Sequence, residues 1–165
     1  SDLQHCELYV INSAERLGKY ADMFKDAGYK VYHLPCPSGL ITRWSYCQQI
    51  VRLVKKEGID DPVLGDAIKA HNPKCGMKAK TNLQYALLAA DPMSGFVKAV
   101  AQIYPDKKIA SVKHKSVMKR FNELRFASGA NRDYMEAIEF TGLSLDDLID
   151  VALEEMGAIA DVLGL

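Results

Sequence analysis

The stretch Thr81-Asn82-Leu83-Gln84-Tyr85-Ala86-Leu87-Leu88-Ala89-Ala90-Asp91-Pro92 decides the fold class. Its run of Leu, Ala and Gln reads as a helix from Thr81 to Ala90. Asp91-Pro92 then reads as the start of a second helix running to about Ile103, because Asp is a favoured N-cap and Pro a favoured first helical residue. Upstream, Asp61-Pro62 repeats the device and opens a short helix. Downstream, Tyr104 to Lys108 is a loop, and a helix is predicted from Lys115 to Ala127, stopped by Ser128-Gly129. Another runs from Asn131 or Arg132 to Phe140 and stops at Gly142. Ser144-Leu145-Asp146-Asp147 is a capping-box-like start with Asp in the usual Glu place. It opens a helix to about Leu163 whose core stripe is Leu148, Val151, Ala152, Met156, Ile159 and Val162. No strand is legible from Asp61 onward, so the chain is predicted to be mostly α.

The other direction reads differently. Glu7 to Asn12 is a short β-branched and aromatic run. Ser13 stands where an N-cap would, and Leu17, Tyr20, Ala21 and Phe24 recur at helical spacing. Ala27-Gly28 supplies a stop, and Tyr29 to Leu34 alternates like a strand. This is a β-α-β pattern, for which the strands should be parallel. Pro35-Cys36-Pro37-Ser38-Gly39 is a loop, and a helix from Ser45 to Glu57, with Ile50, Val51, Leu53 and Val54 on its apolar face, ends at Gly58. The predicted division is a small α/β unit over 1–57 and a helical domain over 58–165.

Composition narrows the functional classes. The 165 residues are 48% apolar and 25% charged, with 21 Lys+Arg against 21 Asp+Glu. Disordered, collagen-like and disulfide-scaffold classes are excluded, and zero net charge argues against bulk nucleic-acid binding. That zero is a cancellation: Lys107 to Arg132 is strongly basic, whereas Asp133 to Leu165 contains acids and no Lys or Arg. The segregation leaves room for a local phosphate site, and for pairing between helices or between the subunits of a homo-oligomer. No apolar run approaches the roughly 18 residues that span a bilayer, and the first residues carry no signal-peptide pattern. The expectation is a cytoplasmic protein with no membrane partner. Cys6, Cys36, Cys47 and Cys75 form no C-x-x-C pair, which disfavours an all-cysteine zinc site and fits reduced thiols. Cys36, between two prolines, and Cys47, near Arg43, are the candidate reactive thiols.

Several words in the second half resemble the HD superfamily of predicted metal-dependent hydrolases. They are Ala67-Ile68-Lys69-Ala70-His71-Asn72, Ala86 to Phe96 around Asp91, Pro105-Asp106-Lys107-Lys108-Ile109-Ala110, Lys115 to Phe121, Arg125-Phe126-Ala127-Ser128-Gly129-Ala130-Asn131-Arg132, and Gly142 to Asp147. They fall in family order from about Val63 to Leu165. The resemblance implies an HD-like helical bundle and a phosphohydrolase that uses a divalent metal (Mn, Ni, Mg or Fe) to acidify bound water and polarise a phosphoryl oxygen. Asp91 stands at the place of the family's late Asp ligand, and His71 at an auxiliary His place near the phosphate. Together with His5, where the first ligand His would stand, they are the candidate metal set. His71 and Asp91 are also the candidate catalytic pair. Asn72, Lys115, Lys119 and Arg120 are the candidate phosphate contacts, the last three sharing a helix edge. The ligand so implied is a small phosphorylated molecule or a nucleotide.

One departure weighs against turnover. The four histidines are followed by Cys6, Leu34, Asn72 and Lys115, so the His-Asp doublet that names the family is missing. A site that has lost a carboxylate ligand binds its metal poorly. Residues 1–57 resemble, through Ala27-Gly28, Pro35, Pro37 and Cys47, a small family of sulfur- or selenium-carrier-like proteins, although Gln48 follows Cys47 where that family has Gly. The alternatives are therefore a phosphohydrolase relative with weakened or lost activity, and a non-catalytic helical binding or oligomerisation module fused to a thiol-carrier-like α/β unit.

Overall fold

A computed structural model describes residues 9–12, 30–33, 43–56, 58–72 and 76–165. The described chain is mostly α. Strands β1 (Tyr9–Asn12) and β2 (Lys30–His33) pair in parallel, Tyr9 opposite Lys30 through Asn12 opposite His33. The helix expected between them lies outside the described residues. The helices are α1 (Arg43–Lys56), α2 (Pro62–Ala70), α3 (Asn82–Gln102), α4 (His114–Phe121), α5 (Arg132–Glu136), α6 (Leu145–Ala158) and α7 (Ala160–Leu163). Single 3-10 turns occupy Ile109–Ser111 and Ala137–Thr141.

The helix boundaries follow local chemistry where the deciding groups are close in sequence. Gly58, at φ +93°, closes α1: its amide donates to the Lys55 carbonyl and that of Ile59 to the Val54 carbonyl. Those two bonds make a Schellman motif, which satisfies carbonyls that the helix end would otherwise orphan. Asp61 caps α2 by accepting from the Val63 amide at 2.8 Å, with Pro62 in the first turn. Ser144 and Asp147 form a reciprocal capping box at α6.

The central helix departs from expectation. The sequence divides it at Asp91-Pro92, yet α3 runs unbroken for 21 residues with Pro92 inside it. Its cap is Thr81, whose hydroxyl accepts from the Gln84 amide while the Gln84 side chain accepts from the Thr81 amide. Asp91 is therefore a mid-helix residue and caps nothing. Proline within a helix removes one amide donor and crowds the carbonyl four residues back, at a cost of about 3 kcal/mol. Leu88 and Ala89 before it, and Met93, Phe96 and Val97 after it, are all buried, and all but Leu88 belong to one core. Burial of side chains that size is worth about 1.5–3 kcal/mol each, so continuous packing outweighs the local preference to break.

α3 is the axis of the helical part, packed against α2, α4, α5, α6 and both 3-10 turns. Phe96, fully buried, meets Phe121 and Phe126 edge-on, with centroids 6.1 and 5.5 Å away. Two further expectations are corrected. The helix from Lys115 ends at Phe121 rather than Ala127, where turns take over, the Asn122 side chain donates to the Met118 carbonyl, and Ala127 adopts φ +43°. The core stripe of α6 holds at Leu148, Ala152 and Met156, takes in Ile149 as well, and loses Val151, which is 53% exposed, and Ile159, which sits at the break that separates α7.

Candidate functional site

His71 is placed by the end of α2. Its backbone amide donates to the Ala67 carbonyl as the C-cap, and its ring Nδ1 lies 2.6 Å from the Ile68 carbonyl. A carbonyl only accepts, so Nδ1 carries the proton. That bond assigns the Nδ1 proton and leaves Nε2 as the ring nitrogen available to a ligand, the orientation seen behind metal-bound and phosphate-bound imidazoles. Twenty residues on, Asp91 comes to the same place on the exposed side of α3.

The third wall is the turn before α5. Arg132 holds it: Nη1 donates to the carbonyls of Ala127 (2.8 Å) and Ala130 (2.7 Å), and Nη2 to that of Phe126 (2.5 Å). The guanidinium lies over Phe96, 4.7 Å from the ring centre. A planar fork with several donors suits three converging carbonyls as a lysine would not. It also explains how Ala127 tolerates a positive φ, a conformation unfavourable for a residue with a Cβ. Asn131 caps α5 by accepting from the Tyr134 amide at 3.2 Å. Its Oδ1 is thus occupied, and its NH2 group remains as a donor.

These three walls enclose a cavity of about 290 Å³. His71, Asn72 and Asp91 line it on one side, and Gly129, Asn131 and Tyr134 on the other. The structure therefore brings together His71, Asn72 and Asp91, which the sequence singles out. Asn131 and Tyr134 were not legible as site residues. The one signal for them was that Asn131 belongs to the Arg125–Arg132 word. In chemical terms the cavity combines an imidazole nitrogen, a carboxylate and amide and phenol donors.

The basic candidates lie elsewhere. Lys119 and Arg120 border a second cavity, also about 290 Å³, beside Val100, Ile103 and Tyr104. It sits at the C-terminal end of α3, about 18 Å along the axis from Asp91 at 1.5 Å per residue. The two cavities share no lining residue. Lys115 is exposed and lines neither. Lys115, Lys119 and Arg120 thus do not reach a small phosphate held at His71 and Asp91. His5 and Cys36 lie outside the described residues, and of Cys47 only its place in the backbone of α1 is described.

His114 was not singled out at all. It begins α4 and points both ring nitrogens at α6: Nδ1 lies 2.6 Å from Asp150 Oδ1 and Nε2 2.7 Å from Asp146 Oδ1. Two carboxylates one helical turn apart, each facing one nitrogen, require both nitrogens to carry protons. Chiefly through the hydrogen bond to Asp150, with Asp146 adding to it, the imidazolium is favoured and the pKa lies above the ordinary 6.5. This is one instance of the basic-to-acidic pairing between helices that the charge segregation suggested.

Among the described residues, no group of three or more His, Cys, Asp or Glu side chains gathers as a metal-holding cluster. Among the described residues the first cavity offers one imidazole and one carboxylate, two of the three protein ligands that a catalytic divalent ion usually takes. Among the described residues no helix is long and apolar enough to cross a membrane.

Fold and site together define a mostly helical protein with a polar cleft between α2, α3 and the turn before α5. No family model, no curated protein and no solved structure matches the chain.

Proposed function

We propose that the chain is a relative of the HD-type metal-dependent phosphohydrolases with weak or lost turnover, whose first cavity binds a small phosphorylated molecule or nucleotide. The observation that carries this reading is the convergence of His71-Asn72 and Asp91 on one cavity, together with the turn from the Arg125–Arg132 word. The same words carry the sequence resemblance. With Nδ1 bound to the Ile68 carbonyl, His71 turns Nε2 to a phosphate oxygen, while the Asn131 amide and Tyr134 hydroxyl donate to others. The missing His-Asp doublet and the two-ligand count at the cavity favour binding over hydrolysis.

The second reading is a non-catalytic helical binding module beside a thiol-carrier-like α/β unit over 1–57. It is favoured by the same ligand count and by the parallel pairing of β1 with β2.

The deciding measurement is the metal content of the purified chain, together with turnover of p-nitrophenyl phosphate in Mn²⁺, Ni²⁺ or Mg²⁺. Binding of the phosphoester with turnover that is slow, and lost in Asp91→Ala, supports a weakened enzyme. Binding with neither metal nor turnover supports the loss of activity. If the chain takes up no phosphoester at all, the phosphohydrolase-relative reading fails and the binding-module reading stands.

A further inference from the structure

The second cavity belongs to none of the chemistry above. Its floor is apolar: Val100 is fully buried, and Ile103 and Tyr104 continue the wall at the end of α3. Its other side is polar, formed by Ser116, Lys119 and Arg120 on α4. The two sides are tied together. The Tyr104 hydroxyl donates to Ser116 Oγ at 2.7 Å and accepts from the Lys113 amide at 3.4 Å. A hydroxyl that accepts through its oxygen still has its own proton to give, so Ser116 offers a donor. Arg120 is steadied by Glu123, 2.5 Å from Nη1, and by the Phe126 ring 5.4 Å away, which leaves its remaining N–H groups. Lys119 is exposed and has no ion-pair partner among the described residues.

Among the described residues no carboxylate lines the cavity. A neutral ligand would leave the Lys119 ammonium uncompensated, and a cation would be repelled. An anion alone would leave the apolar floor wet. A cavity of about 290 Å³ stands at the small end of the range for small-molecule sites. That is the size of one small ring or short alkyl body bearing one charged head.

We propose that this cavity is a separate binding site for a small amphipathic anion, its apolar body on Val100, Ile103 and Tyr104 and its carboxylate or phosphate head on Ser116, Lys119 and Arg120. It requires no metal and no catalytic event, and it stands whether or not the first cavity binds phosphoesters.

The test is titration of the isotope-labelled full chain by NMR with three probes: phenylphosphonate, which cannot be hydrolysed at an ester bond, benzoate and benzyl alcohol. Phenylphosphonate or benzoate shifts the amides of Tyr104, Ser116 and Lys119 saturably, with a Kd of about 1 mM or tighter. Preference between the two identifies the head as phosphate or carboxylate. Benzyl alcohol binds at least about tenfold more weakly, the loss expected for one charge-assisted hydrogen bond. Lys119→Glu abolishes the shifts at these amides and leaves thermal unfolding unchanged, since the side chain is at the surface. Shifts confined to His71, Asn131 and Tyr134, equal binding of benzyl alcohol, or undiminished binding by Lys119→Glu would each overturn the assignment.

Discussion

His114 shows how a single side chain acquires a pH dependence. Its two carboxylate partners lie on another helix, at 32 and 36 residues' remove, so no local pattern marks it. The raised pKa in the folded state means that folding favours the protonated ring. The stability so contributed is fully present below the unfolded value of 6.5 and disappears as pH rises through the higher folded value. Both carboxylates are largely exposed, so the contribution is small, about 0.5–1 kcal/mol. His114→Gln is expected to lower stability toward urea at about pH 5.5 and to match the native chain by about pH 9. A difference between the two that is the same at both pH values would refute the pairing. His71 makes the contrasting case. It was singled out through its place in the Ala67–Asn72 word, and the bond that orients its ring, to the Ile68 carbonyl, is local.

At the scale of elements, the sequence is a good guide to helix starts and a poor one to helix middles. Asp61, Ser144 and Gly58 act on atoms within five residues, and each was readable. Pro92 was misread because the same local chemistry that opens a helix competes with burial on both of its sides, and burial involves residues from α4, α5 and α6. The stripe of α6 was right at Leu148, Ala152 and Met156 and wrong at Val151 for a related reason. Ile149 and Val151 flank that stripe on either side, and only the partner helices choose between them. If packing alone holds α3 together through Pro92, then Pro92→Ala restores the missing amide donor to the Leu88 carbonyl and raises stability by about 1–2 kcal/mol, the relief of proline's cost less the entropy regained by the unfolded chain. Urea unfolding measures the gain, and hydrogen exchange should find the new amide protected. A loss of stability would mean that the helix is bent to suit its neighbours and that the proline fits the bend.

Across the whole molecule, the candidate site was half legible. His71, Asn72 and Asp91 converge, whereas Lys119 and Arg120, on α4, lie by the C-terminal end of α3 against a cavity of their own. The spacing of residues along α4 gives their common edge but not the direction in which that edge faces, which is fixed by the Tyr104–Ser116 bond and by the seating of Phe121 against Phe96. Likewise the turn that completes the first cavity depends on Arg132 reaching back five and six residues to carbonyls. Such a bond has no signature in a one-dimensional pattern.

The histidine held between two acids also bears on how the folded chain moves in an electric field. The sequence alone gives an isoelectric point near 6.9, close to the ordinary histidine value. A ring whose pKa is raised by folding carries more positive charge near that pH in the native protein than in the denatured chain. Replacing His114 by Gln should therefore lower the focusing position of the native protein by more than that of the chain in urea. Equal displacements in both gels would show that the ring titrates as a free imidazole.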